Sequence, residues 1–141
     1  MKELLLNTVI RVLKPGSLWV FVLLLVAAAP GTAEAHARLK KSSPAADEVL
    51  ARPPEVIDLW FSELLDGNFD YVEVYPAADV NLKTRRNLAK EGAKRDEKDH
   101  TRLTLALKPL PPGEYAVEWR VLSLDGHTAT GRFKFKIREP K

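Results

Sequence analysis

An all-β fold, an immunoglobulin-like Greek-key β-sandwich or small barrel, is what this sequence predicts, and three observations carry the prediction. Apolar and polar residues alternate in several short stretches, Pro and Gly turns separate those stretches, and no stretch past residue 35 reads as a long helix. Each strand then has one apolar face, which two packed sheets would bury. The 141 residues include no cysteine, so the fold rests on its core.

The first 35 residues read as an address. Lys2, Arg11 and Lys14 make a positive start, residues 18–29 are an unbroken apolar run, and Pro30-Gly31 precedes the small-residue pair Ala33 and Ala35. The apolar run falls short of the roughly 20 residues that span a bilayer. Residues 1–35 are therefore expected to be a cleaved signal peptide, leaving residues 36–141 as one exported domain that begins with His36. Losing the leader leaves 19 basic and 17 acidic side chains, so the whole-chain pI of about 9.2 does not mark a nucleic-acid-binding protein. The single methionine, Met1, leaves with the leader, and no soft sulfur ligand for Cu(I) remains.

Residues 37–42 read as a first strand with Leu39 inward, ended by Ser43-Pro44. Residues 44–54 connect it onward; 47–50 offer a turn of helix that Pro53-Pro54 stops. Ile57, Leu59 and Phe61 alternate with polar or outward positions as a second strand, closed by Ser62-Glu63. Asp66-Gly67-Asn68 signals a turn before a strand over 69–75, where Val72 and Val74 share a face and Pro76 ends the run. Residues 83–102 are nearly continuous charge, which predicts a mobile, solvated excursion with a short helix around 85–94 and a solvated His100. Leu103, Leu105 and Leu107 resume the alternation. After a turn at 109–113, Tyr115, Val117, Trp119 and Val121 form the most regular pattern, with Trp119 in the core and Arg120 facing outward, where it is expected to pair with an acid near the site. Asp125-Gly126 opens a loop, and Gly131 leads into a last strand carrying Phe133, Phe135 and Ile137.

Cleavage after Ala35 would give His36 a free α-amine beside its imidazole, a pair able to close a six-membered chelate ring. Asp125 and His127 add a carboxylate and a second imidazole. An amine, two imidazoles and a carboxylate suit tetragonal Cu(II), which leads the divalent affinity order. All the nitrogen donors must shed protons to bind, so affinity falls in acid. Taken singly, each part has a plainer reading: Asp-Gly is a strong hairpin signal and a lone histidine is usually a surface residue. Their coincidence with a terminal His36 completes a coordination set.

The segments His36-Ala37-x-Leu39, Ser42-x-Pro44-Ala45, Leu59-x-Phe61-Ser62-Glu63, Val117-x-Trp119-Arg120-Val121-x-Ser123-x-Asp125-Gly126-His127 and Gly131-x-Phe133-x-Phe135 resemble the CopC family of periplasmic copper-binding proteins. The resemblance implies a β-sandwich in the periplasm whose Cu(II) is held by His36, Asp125 and His127. It also implies Glu63 as a weak ligand or a neighbour of the site, and a CopD-like inner-membrane copper-transport protein as partner. Some family members bind Cu(I) through a methionine-rich loop; here the corresponding stretch is the charged 83–102 segment, which puts such a site in doubt.

The sequence is thus expected to encode a monomeric, exported Cu(II)-binding protein for copper sequestration, resistance or delivery, without catalytic activity. Two rivals stand beside it: a copper monooxygenase-like enzyme using a histidine brace, and a metal-free immunoglobulin-like interaction module.

Overall fold

The alternation seen in the sequence becomes two faces as soon as the strands pair. The computed structural model describes residues 37–140; the expected leader and His36 lie outside them. The strands are β1 (Leu39–Ser43), β2 (Val49–Leu50), β3 (Val56–Phe61), β4 (Tyr71–Pro76), β5 (Lys94–Arg95), β6 (Arg102–Ala106), β7 (Gly113–Leu122) and β8 (Thr128–Ile137), with a 3-10 turn at Ala77–Asn81. One sheet has the order β1-β3-β6-β5 and the other β2-β8-β7-β4. Successive strands mostly change sheet, so the chain crosses repeatedly over a shared core, and β5–β6 and β7–β8 are the antiparallel pairs of consecutive strands.

Ile57, Leu59, Phe61, Leu103 and Leu105 point from the first sheet toward Val72, Val74, Val117, Val121 and Phe135 of the second, all nearly free of solvent contact. Trp119 sits at the centre of an aromatic group, edge-on to Phe61 at 6.3 Å and tilted against Phe133 at 6.0 Å. Its indole lies across Gly131, its direct partner on β8; a Cβ there would fall 2.1 Å from Trp119 Cζ2. Gly131 is therefore required by close approach, not by backbone conformation.

Two expectations fail. Residues 47–50 form no helical turn, because β8 offers their backbone partners: Asp47 N donates to Lys134 O (2.7 Å), Lys136 N donates to Glu48 O (2.9 Å), and β2 runs parallel to β8. The charged segment is likewise no loose excursion, and it holds no helix over 85–94. Leu88 N donates to Val74 O on the open edge of β4, and Leu88 O accepts from Lys108 N. Ala89, which bridges to Leu107, is buried. Alternation misses this because the segment is anchored by charge pairing rather than by an apolar stripe.

The pairing centres on Arg85, whose guanidinium lies 4.4 Å from the Tyr75 ring centre. Arg85 Nη1 donates to Tyr75 Oη and to Glu118 Oε2, each at 2.9 Å, while Tyr75 donates to Glu118 Oε2 at 2.7 Å. Glu73 Oε2 lies 3.3 Å from Arg85 Nη2, close enough for an ion pair although not aligned for a hydrogen bond. Arg86 pairs with Asp79 at 3.1 Å. Tyr75 and Glu73, on the outward side of β4, are buried in this way, and so is Ala116 on β7.

The Tyr75 hydroxyl first, and Arg85 after it, hold the Glu118 carboxyl below the usual glutamate range, against an opposing effect of burial. A carboxyl depressed in the fold stabilises it above its unfolded pKa of about 4.3, and that contribution is lost as pH falls through the lower folded value. Glu118→Gln should therefore cost stability at neutral pH, and the difference from wild type should narrow at about pH 3 in urea denaturation. An unchanged difference would remove Glu118 from the account. Gly131→Ala should destabilise by about 1–3 kcal/mol, as overpacking does, and near-UV circular dichroism of Trp119 should change with it.

Candidate metal centre

The last two strands deliver the candidate ligands. β7 and β8 stay in register from Gly113 opposite Ile137 to Leu122 opposite Thr128, which leaves residues 123–127 as the connecting loop. Ser123 closes it: its N and Oγ both donate to His127 O, at 2.9 and 3.1 Å. Gly126 N donates to Ser123 O (2.9 Å), and Gly126 has φ 88°, a left-handed value that favours glycine. Asp125-Gly126 is thus the hairpin turn that the dipeptide signals, and the same turn gathers chemistry.

Asp125 grips His127 twice. Oδ1 accepts from the His127 backbone N at 3.1 Å, and Oδ2 lies 3.0 Å from Nδ1. The backbone donor first, and the imidazole after it, hold the Asp125 carboxyl below its ordinary range, so it is an anion at neutral pH. Both side chains are open to solvent. The Nδ1 edge of the His127 ring is thus turned to the Asp125 carboxylate.

Residues 62–66 run beside this hairpin. Leu124 N donates to Leu64 O (3.0 Å), Asp66 N to Leu122 O (2.8 Å), and Leu65 bridges to Ser123. Arg95 fixes the same stretch by donating to the carbonyls of Leu65 and Asp66, and Asp70 Oδ1 accepts from Leu122 N at 3.1 Å. At the other end of the stretch, Arg38 N donates to Ser62 Oγ (2.9 Å) and Ser62 N to Arg38 O (2.8 Å), while Ala37 is buried.

The segment following His36 is therefore tied to Ser62, Glu63 follows directly, and Leu64 is tied to the residue before Asp125. His36 itself lies outside the described residues. Glu63 is exposed. Among the described residues, Asp125 and His127 are brought together, and no three His, Cys, Asp or Glu side chains converge. His100 is exposed, as expected, and its carbonyl accepts from Leu65 N. Arg120 makes no ion pair among the described residues, so the expected pairing with an acid is absent.

The sequence does not announce the supporting contacts of Asp70, Arg95 and Ser62, although Ser62 and Ser123 both stand in its motif runs.

Comparison with known proteins gives the family. Residues 39–138 match the family model described as the CopC domain. The chain is 32% identical over 126 residues to the copper transport protein CutJ of Bacillus subtilis, covering 89% of this chain but only 22% of that longer protein. It is 34% identical over 110 residues to copper resistance protein C of Escherichia coli, covering 76% of this chain and 85% of the relative. The crystal structure of CopC from Methylosinus trichosporium OB3b superposes with a TM-score of 0.64 at 29% identity, over 73% of this chain and 94% of that one.

A Cβ at Gly126 would meet no neighbour within 4 Å, so only backbone strain opposes one. Gly126→Ala should cost about 1–2 kcal/mol in urea denaturation and speed amide exchange at His127. Unaltered stability and exchange would mean the left-handed turn does not hold the pair.

Proposed function

This chain belongs to the CopC domain family, whose members are copper-binding and copper-resistance proteins and not enzymes, and from that membership we propose an exported, periplasmic carrier of one Cu(II) ion. Residues 1–35 are its cleaved signal peptide and residues 36–141 its working domain, a monomer. The copper is cargo, sequestered or delivered to an inner-membrane transport protein.

The observation that carries the reading is the Asp125–His127 pair, held at 3.0 Å on a closed hairpin. It supplies one imidazole and one carboxylate, and the clamp between Arg38 and Ser62 supports bringing the residue before Ala37 to the same end of the sandwich. A terminal His36 would add an amine and a second imidazole, giving three nitrogens and one oxygen. That set fits tetragonal Cu(II) by donor type. Glu63, next in sequence to Ser62, is the candidate for a weak further oxygen or for a neighbour that orients the others. Cysteine is absent and methionine occurs once, at Met1, so the domain lacks the sulfur donors that favour Cu(I).

Protein recovered after export should begin at His36 and bind one equivalent of Cu(II). A form with one extra residue before His36 should bind more than about tenfold more weakly in a chelator competition titration, and His127→Ala should weaken binding comparably. Equal affinity with and without the extra residue would overturn the amine's role. Affinity should also fall steadily from pH 7 to about pH 5, because amine and imidazole donors bind only after losing a proton; a flat profile would point to carboxylate donors alone.

A further inference from the structure

The outer face of the second sheet is covered over half its length only. The segment carrying Arg85 closes over Tyr75 and Ala116, but nearer the Asp125–His127 hairpin the same face is an open groove of about 1060 Å³. Phe69 and Tyr71 flank it at 71% and 49% exposure, too much for aromatic rings whose work is confined to the core. Leu122 and Thr128, a directly opposed pair, form the part adjoining the hairpin, and Arg120 lies between Tyr71 and Thr130 in register.

The charge in this groove is unbalanced. Glu118 is its one acid, and Tyr75, Arg85 and Arg132, the last at 3.6 Å, already engage it. Arg120 is exposed and makes no ion pair among the described residues. A guanidinium set among aromatic and aliphatic walls matches a carboxylate flanked by apolar groups, which it can receive through two parallel hydrogen bonds. Aromatic residues and arginine are also the types enriched where protein partners meet. The apolar surface continues past the groove: Leu64 and Leu124, joined by a backbone hydrogen bond, are 50% and 58% exposed beside Asp125.

We propose that this groove docks an extended segment of a partner polypeptide that presents a carboxylate to Arg120 between apolar side chains packed on Phe69, Tyr71 and Leu122. A segment seated there lies next to Thr128, the residue that follows His127, so the partner's neighbouring residues reach the Asp125–His127 end. That the partner gives or receives copper rests on the function proposed above. The docking itself does not, and it is measured without metal.

The test is an amide-shift titration of the isotope-labelled, metal-free protein with the blocked peptide acetyl-Leu-Asp-Phe-Asp-Leu-amide and with its isostere carrying Asn for both Asp. The acidic peptide should move the amides of Tyr71, Arg120 and residues 128–132 at submillimolar concentration. The Asn peptide, and the acidic peptide against Arg120→Gln, should each bind about tenfold more weakly, the loss of one charged hydrogen-bonding pair. Tyr71→Thr should weaken both peptides alike. No shift with either peptide, or equal affinity for the two, overturns the proposal. So do the same amides moving with protein concentration alone, which would make the face a contact between copies, or phenylacetate saturating the groove as tightly as the peptide, which would make it a small-molecule site. Because wild-type protein with the two peptides decides the charge question, a variant that fails to fold leaves the test intact. Failure of copper binding would leave these shifts unaffected.

Discussion

The unbroken register of β7 against β8 is the constraint on which the rest depends. Ten consecutive pairs fix Leu122 opposite Thr128, and a slip of one residue would exchange the inward and outward faces of one strand relative to the other. Trp119 locks that register, since its indole fits only where its partner has no side chain, at Gly131. The loop closing the pair is then determined in length, and Ser123 with Gly126 sets its path. Asp125 and His127 meet at 3.0 Å as a consequence of core packing several residues away. The backbone of the pair is thus tied to the strands beneath it, although both side chains are in solvent.

Much of the fold was legible because burial in a two-layer sheet writes itself as alternation. Ile57, Leu59 and Phe61, Leu103 and Leu105, and the β7 series from Tyr115 to Val121 all face the core as their spacing predicts. What alternation could not convey was structure built by polar pairing. Residues 83–102 look solvated because their charges have no apolar stripe, yet Arg85 joins Glu73, Tyr75 and Glu118 from other strands into one network. Residues 47–50 were similarly opaque, because two residues of parallel pairing with β8 leave no periodicity to read.

At the candidate site, the candidate donors are legible in the sequence but their supports are not. Asp125 and His127 stand out by residue type and spacing. Asp70, Arg95 and Ser62 act through hydrogen bonds to backbone atoms distant in sequence, which no local pattern announces. These contacts tie residues 62–66 to β7 on one side and to Arg38 on the other, so the fold joins the segment beginning at Ala37 to the hairpin carrying Asp125 and His127. Membership of the CopC domain family sets aside the oxygen-activating alternative that the sequence alone had left standing.

The account's central claim is that the hairpin imidazole and a terminal histidine bind the same copper ion. Electron spin-echo modulation of the exported protein loaded with one equivalent of Cu(II), with and without 15N-histidine labelling, tests it most directly. Two inequivalent imidazoles on one copper centre, with one signal lost in His127→Ala, is the result the account predicts. A single imidazole, or a spectrum indifferent to the loss of His127, would contradict it.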